Sequence, residues 1–140
     1  MRRLLLSVCL LALLGCTKQR LEKFNNRIIG NWNLVEINTF GAGSSNIVFD
    51  GGSFSFSSDH TLIYYDRSHT VYVGSWYIDA YNYQDDEGNT ETYFILTLDV
   101  SDGSTRKFDQ LEIPGFGNAN KFKAKTYNTL NVVTYVFERD

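Results

Sequence analysis

Few side chains in this 140-residue sequence are spaced to do chemistry. Asp66, Ser68 and His69 supply the three group types of a nucleophilic hydrolase, but they sit almost side by side, whereas such triads assemble from distant segments. The other histidine, His60, also falls in a turn-like stretch, so all of these read as solvated turn residues. Asp85-Asp86-Glu87-Gly88-Asn89 invites a calcium loop, yet EF-hand spacing would put Tyr83 at the first ligand position and Phe94 at the last. A charged hairpin loop fits better, and no metal or other cofactor is expected. Lys121, Lys123 and Lys125 form one outward strand face, and a formal charge of −3 excludes a nucleic-acid surface. They read as protection against edge pairing. The expectation is a protein that is not an enzyme.

The two cysteines belong to a different chemistry. Met1-Arg2-Arg3 precedes an apolar run from Leu4 to Leu14, well short of the roughly 20 residues that cross a bilayer and suited to an export signal. That run ends Leu13-Leu14-Gly15-Cys16, which resembles the lipobox of bacterial lipoproteins. The resemblance implies a signal peptide over residues 1–15 and a diacylglyceryl group on Cys16, which becomes the new N-terminus. At about 0.8 kcal/mol per buried methylene, palmitate-length chains there hold the protein on a membrane. Cleavage removes Cys9, so no disulfide, catalytic thiol or zinc–cysteine site remains. Residues 16–27 form the tether, where Leu21, Phe24 and Ile28 recur at helical spacing and predict a short helix. Lys18-Gln19-Arg20 follow the cysteine, where acidic residues mark surface export in some diderm bacteria. By that resemblance the protein is an outer-membrane lipoprotein facing the periplasm, with the cell surface left open.

The remaining domain, residues 28–140, carries period-2 alternation and no long helical pattern. Strands are predicted over 30–38, over 46–49 and 53–57 as one bent strand with a glycine bulge, and over 61–65, 70–78, 92–98, 105–111, 121–125 and 130–137. A loop runs from Asp79 through Asp85 to Asn89, and Pro114-Gly115-Phe116-Gly117-Asn118 is a breaker. Eight strands with short connections leave no room for crossover helices, so the sheet is antiparallel and up-and-down. Closure removes both edges, which favours an all-β, eight-stranded barrel over the alternative of a β-sandwich.

Gly30-Asn31-Trp32, opening the first strand after a short helix, resembles the Gly-x-Trp signature of lipocalins. The stretch from Ile28 to Val35 is similar to the start of short bacterial lipocalin-like lipoproteins, and the likeness spans nearly all of residues 28–138. It implies a lipocalin-like barrel in which Trp32 closes one end beneath an arginine, a place that Arg139 can fill by cation–π contact. His60 departs from the family, which often has glycine in that turn.

The sequence holds 2 Trp, 9 Tyr and 10 Phe, enough ring area to close a core. Phe54, Phe56, Leu62, Tyr64, Tyr72, Trp76, Phe94, Leu96 and Leu98 are expected to point inward, with Phe122, Val132 and Val136. Eight strands enclose either side chains alone or one small ligand. The leading expectation is therefore a membrane-anchored protein binding a small hydrophobic or amphipathic ligand, lined by Phe54, Phe56, Tyr64, Tyr72, Trp76, Phe94 and Leu96. The alternative is a non-catalytic structural or interaction module with a filled barrel, contacting an envelope protein or glycan through Tyr81, Tyr83 and the 79–91 loop.

Overall fold

The computed structural model describes residues 18–43 and 45–140. Residues 18–28 form a helix, α1. Eight strands follow: β1 (Gly30–Gly41), β2 (Ser53–Phe56), β3 (Thr61–Tyr65), β4 (Val71–Gln84), β5 (Thr90–Ser101), β6 (Arg106–Asn118), β7 (Lys121–Tyr127) and β8 (Asn131–Arg139). Each pairs antiparallel with the next, and β8 returns to β1 from Trp32↔Arg139 to Gly41↔Asn131, closing the barrel. The all-β, up-and-down barrel expected from the strand spacing is the observed fold, and the return of β8 to β1 leaves neither terminal strand as a free edge.

The two ends are closed differently. At one end α1 lays Leu21, Phe24 and Ile28 against the core, with the Phe24 ring stacked 4.4 Å from Phe94. At the other, residues 46–49 are not a strand, contrary to expectation. They fold over the barrel mouth and insert Phe49, whose ring meets Phe54 and Tyr64 at 5.4 and 5.1 Å. The reversal into β2 needs Gly52, at φ 92°, where a Cβ would strike the Tyr65 carbonyl oxygen.

Other differences have equally local causes. β1 extends to Gly41, and its register slips between Leu34 and Glu36, so the inward phase passes from Trp32 and Leu34 to Ile37. β4 continues through residues 79–84 because Asp79 to Gln84 pair with Ile95 to Thr90. Pro114 does not break β6, because it falls in a register shift between Glu112 and Gly115, where its missing N–H interrupts no ladder bond. In β8 the inward phase carries Val133, Tyr135 and Phe137; Val136 is buried as expected but stands on the other phase, outside the core cluster, and Val132 is only half-buried. His60 takes the left-handed conformation, φ 66°, that glycine would adopt in the Ser57–Thr61 turn, and its Nδ1 lies 3.2 Å from the Trp76 carbonyl.

Candidate functional site: a filled barrel and a groove in its wall

The seven residues expected to line a ligand cavity do converge inside the barrel. Phe54, Phe56, Tyr64, Tyr72, Trp76, Phe94 and Leu96 are each 6% exposed or less. Rings bordering a water-sized void would carry accessible surface. Here they touch one another instead: Phe54 to Tyr64 at 4.5 Å and to Phe137 at 5.3 Å, Phe56 to Trp76 at 5.6 Å, and Tyr64 to Tyr72 at 5.6 Å. Their polar atoms are directed to backbone, with Tyr64 donating to Gly51 O at 2.8 Å and Trp76 Nε1 to Ser57 O at 3.1 Å. Burial raises the Tyr64 phenol far above its ordinary range.

Gly30, Trp32 and Arg139 meet at the helical end. The Arg139 guanidinium lies 4.4 Å from the Trp32 ring centroid, and a Cβ on Gly30, at φ 127°, would strike it. Cys16, expected to carry lipid, lies outside the described residues, as does the proposed signal peptide.

The turn residues with catalytic group types are bound up in local structure. Asp66 Oδ1 accepts the Ser68 and Thr70 N–H groups at 2.8 and 2.9 Å, and His69 sits at φ 63° within that turn. Asp85 Oδ1 likewise accepts the Glu87 and Asn89 N–H groups at 3.0 and 2.7 Å, while its Oδ2 accepts Asn89 Nδ2 at 2.9 Å. These bonds hold the Asp85 carboxyl below its ordinary range, led by those from Asn89. Among the described residues, no group of three His, Cys, Asp or Glu side chains could hold a metal ion.

A groove of about 530 Å³ lies on the outer wall, lined by Tyr81, Ile95, Phe108, Asp109, Gln110, Glu112, Lys125, Thr126 and Tyr127. Its volume falls within the roughly 300–1,000 Å³ of small-molecule sites. It opens where the wall is thinnest in hydrogen bonds. The β6–β7 ladder runs from Asn118↔Lys121 to Glu112↔Lys125 and pairs no residue of β6 before Glu112. Tyr81, Phe108 and Tyr127 stand exposed on its flanks. Asp109 lies at its floor, 9% exposed and on the inward phase of β6 with Leu111 and Ile113.

Asp109 is the chemically unusual member. Its Oδ1 accepts the Gln110 N–H at 2.9 Å, and on the inward side of β6 the carboxyl faces the hydroxyls of Thr126 and Tyr135, whose hydrogen bonds only partly offset its burial. Burial raises the Asp109 carboxyl above its ordinary range and pushes the Tyr135 phenol up to about 12. The sequence signal for this site was a carboxylate on the inward phase of a strand, between apolar inward neighbours; the groove itself had none.

No protein-family model, no curated protein and no solved structure matches the chain. The geometry of its own residues therefore carries the functional reading.

Proposed function

We propose that the chain is a lipid-anchored, non-catalytic interaction module, in which a filled barrel presents an aromatic outer wall to an envelope protein or glycan. The observation that carries this reading is the interior: the rings expected to line a calyx already fill one another's contacts. An internal ligand would have to displace close-packed side chains, so the carrier reading ranks second. The outer wall supports the same conclusion, because Tyr77, Tyr81, Tyr83, Phe108 and Tyr127 are all exposed on it or at its rim. Anchorage at Cys16 rests on the resemblance of Leu13 to Cys16 to a lipobox, and an orientation towards the periplasm on Lys18-Gln19-Arg20 standing where acidic residues would mark surface export.

Two measurements test the proposal together. Labelled palmitate is expected to enter the wild-type chain and not the Cys16→Ser variant. Extraction of the protein purified from its native host is expected to release no stoichiometric small molecule from the barrel. A bound molecule at one per chain would restore the carrier reading, and unlabelled wild type would remove the anchor.

A further inference from the structure

The outer face of α1 gathers three cations around one small cleft. Arg20, Lys23 and Arg27 stand at helical spacing with Phe24 among them, and together with Phe116 of β6 they line a hollow of about 160 Å³. That is too small for a drug-sized ligand and has room for one phosphate group. The Arg20 guanidinium lies 5.3 Å over the Phe94 ring centroid, and that of Arg27 lies 5.2 Å over the Phe116 centroid. A guanidinium held by its face keeps its N–H edge free to donate. Among the described residues, none of the three cations has a carboxylate within ion-pair distance. Glu22 lines the neighbouring depression rather than this one.

Charge is divided unevenly along the chain. Residues 18–28 hold four Lys or Arg side chains and one carboxylate, whereas residues 29–140 hold seven against fifteen. A nucleic acid or an acidic protein large enough to extend past α1 would meet that acidic barrel and be repelled. Position selects the source of the anion instead. A chain reaches at most about 3.6 Å per residue, so Lys18 lies within about 7 Å of Cys16 and Arg20 within about 14 Å. Acyl chains on Cys16 therefore hold the cleft at the level of the headgroups, where cations gain most from anionic lipid. We propose that this cleft binds the phosphate of an anionic phospholipid, gripped by Arg20, Lys23 and Arg27, with Phe24 and Phe116 against the adjoining glycerol carbons. The inference rests on the anchored reading for its membrane and adds to it a headgroup contact that fixes how α1 meets the surface.

The test uses the full chain, labelled with nitrogen-15, in micelles of dodecyl maltoside, a detergent without phosphate. Dioleoyl phosphatidylglycerol at rising mole fraction should shift the Arg20 and Arg27 Nε–H signals and the α1 amides saturably, and phosphatidylcholine should not. Arg20→Gln combined with Arg27→Gln should raise the phosphatidylglycerol needed for half-saturation about tenfold or more, at roughly fivefold per charge. Lys123→Gln combined with Lys125→Gln, an equal loss of charge on β7, should leave it unchanged. Circular dichroism and thermal melting confirm that each variant is folded. An equal weakening in both double variants would show net charge alone and overturn the site. Equal shifts with phosphatidylcholine overturn it too, as do inorganic phosphate reproducing the shifts at the same concentration, or hexaglutamate producing them where phosphatidylglycerol does not. Mass spectrometry of the same preparation scores the anchor separately. An unacylated chain whose signals still answer to phosphatidylglycerol overturns the anchor and keeps the site, whereas an acylated chain whose signals stay silent overturns the site and keeps the anchor.

Discussion

Arg139 and Trp32 act as one closure for the helical end of the barrel. The guanidinium stacks 4.4 Å from the Trp32 ring centroid while Nη2 and Nη1 donate to the carbonyls of Arg27 and Ile29 at 2.7 and 3.1 Å. Trp32 Nε1 donates to the intervening Ile28 carbonyl at 2.6 Å. Three consecutive carbonyls at the end of α1, which no further helical turn can satisfy, are thus met by two side chains from opposite ends of the domain. The last strand thereby locks the first helix in place.

Arg139→Ala should therefore destabilise the domain by about 2–3 kcal/mol, combining a lost cation–π contact with lost charge-assisted hydrogen bonds. Arg139→Lys should recover only part of this, because an ammonium cannot bridge both carbonyls in the plane of the ring. Urea unfolding measures the loss, and hydrogen exchange should show α1 opening before the strands do.

The packed interior makes a second expectation quantitative. Phe54 touches Phe49, Phe56, Tyr64 and Phe137, so truncation leaves a void enclosed on all sides. Phe54→Ala should cost about 3–5 kcal/mol in chemical denaturation. A loss below about 1 kcal/mol would mean that the ring faced ligand space instead.

At the β4–β5 tip, Asp85 serves the turn rather than a cation. Its folded-state carboxyl is depressed, so its stabilising contribution is present above the unfolded value of 3.8 and disappears as pH falls through the folded one. Asp85→Ala should speed hydrogen exchange at Gly88 and Asn89, while millimolar calcium leaves the melting temperature of the wild type unchanged. A calcium-dependent rise would show that the carboxylates can turn outward to bind.

Alternation disclosed most of this barrel because one face of each strand meets apolar side chains and the other meets water. It failed where that contrast was weak or shifted. In β8, Val132, Val133, Tyr135, Val136 and Phe137 are apolar on both phases, so the pattern alone could not choose the inward one. The bulge after Leu34 changes phase within β1, and Pro114 reads as a breaker unless the interruption of its ladder is known. Residues 46–49 alternate like a strand but serve as a plug, since a single ring at the mouth needs no partner strand. The convergence of the interior aromatics was legible, whereas the wall groove was not, because it depends on how two neighbouring strands part.

Asp109 gives the expectation that most directly probes that parted wall. Its folded-state carboxyl is raised, so it contributes stability in full below the unfolded value of 3.8 and loses it as pH rises through the folded value. Asp85, Asp99 and Asp102, held below their ordinary range by local hydrogen bonds, act in the opposite sense. The informative quantity is therefore the difference between Asp109→Asn and wild type, in which those contributions cancel. Asparagine keeps the shape of the side chain and carries no charge, so the variant should match wild type near pH 3 and become more stable with rising pH. The advantage should level off at about 1–3 kcal/mol, the scale of keeping a buried carboxylate charged with its hydrogen bonds only partly offsetting the burial. If urea titrations across this range give parallel curves for Asp109→Asn and wild type, the hydrogen bonds around the carboxylate offset its burial in full.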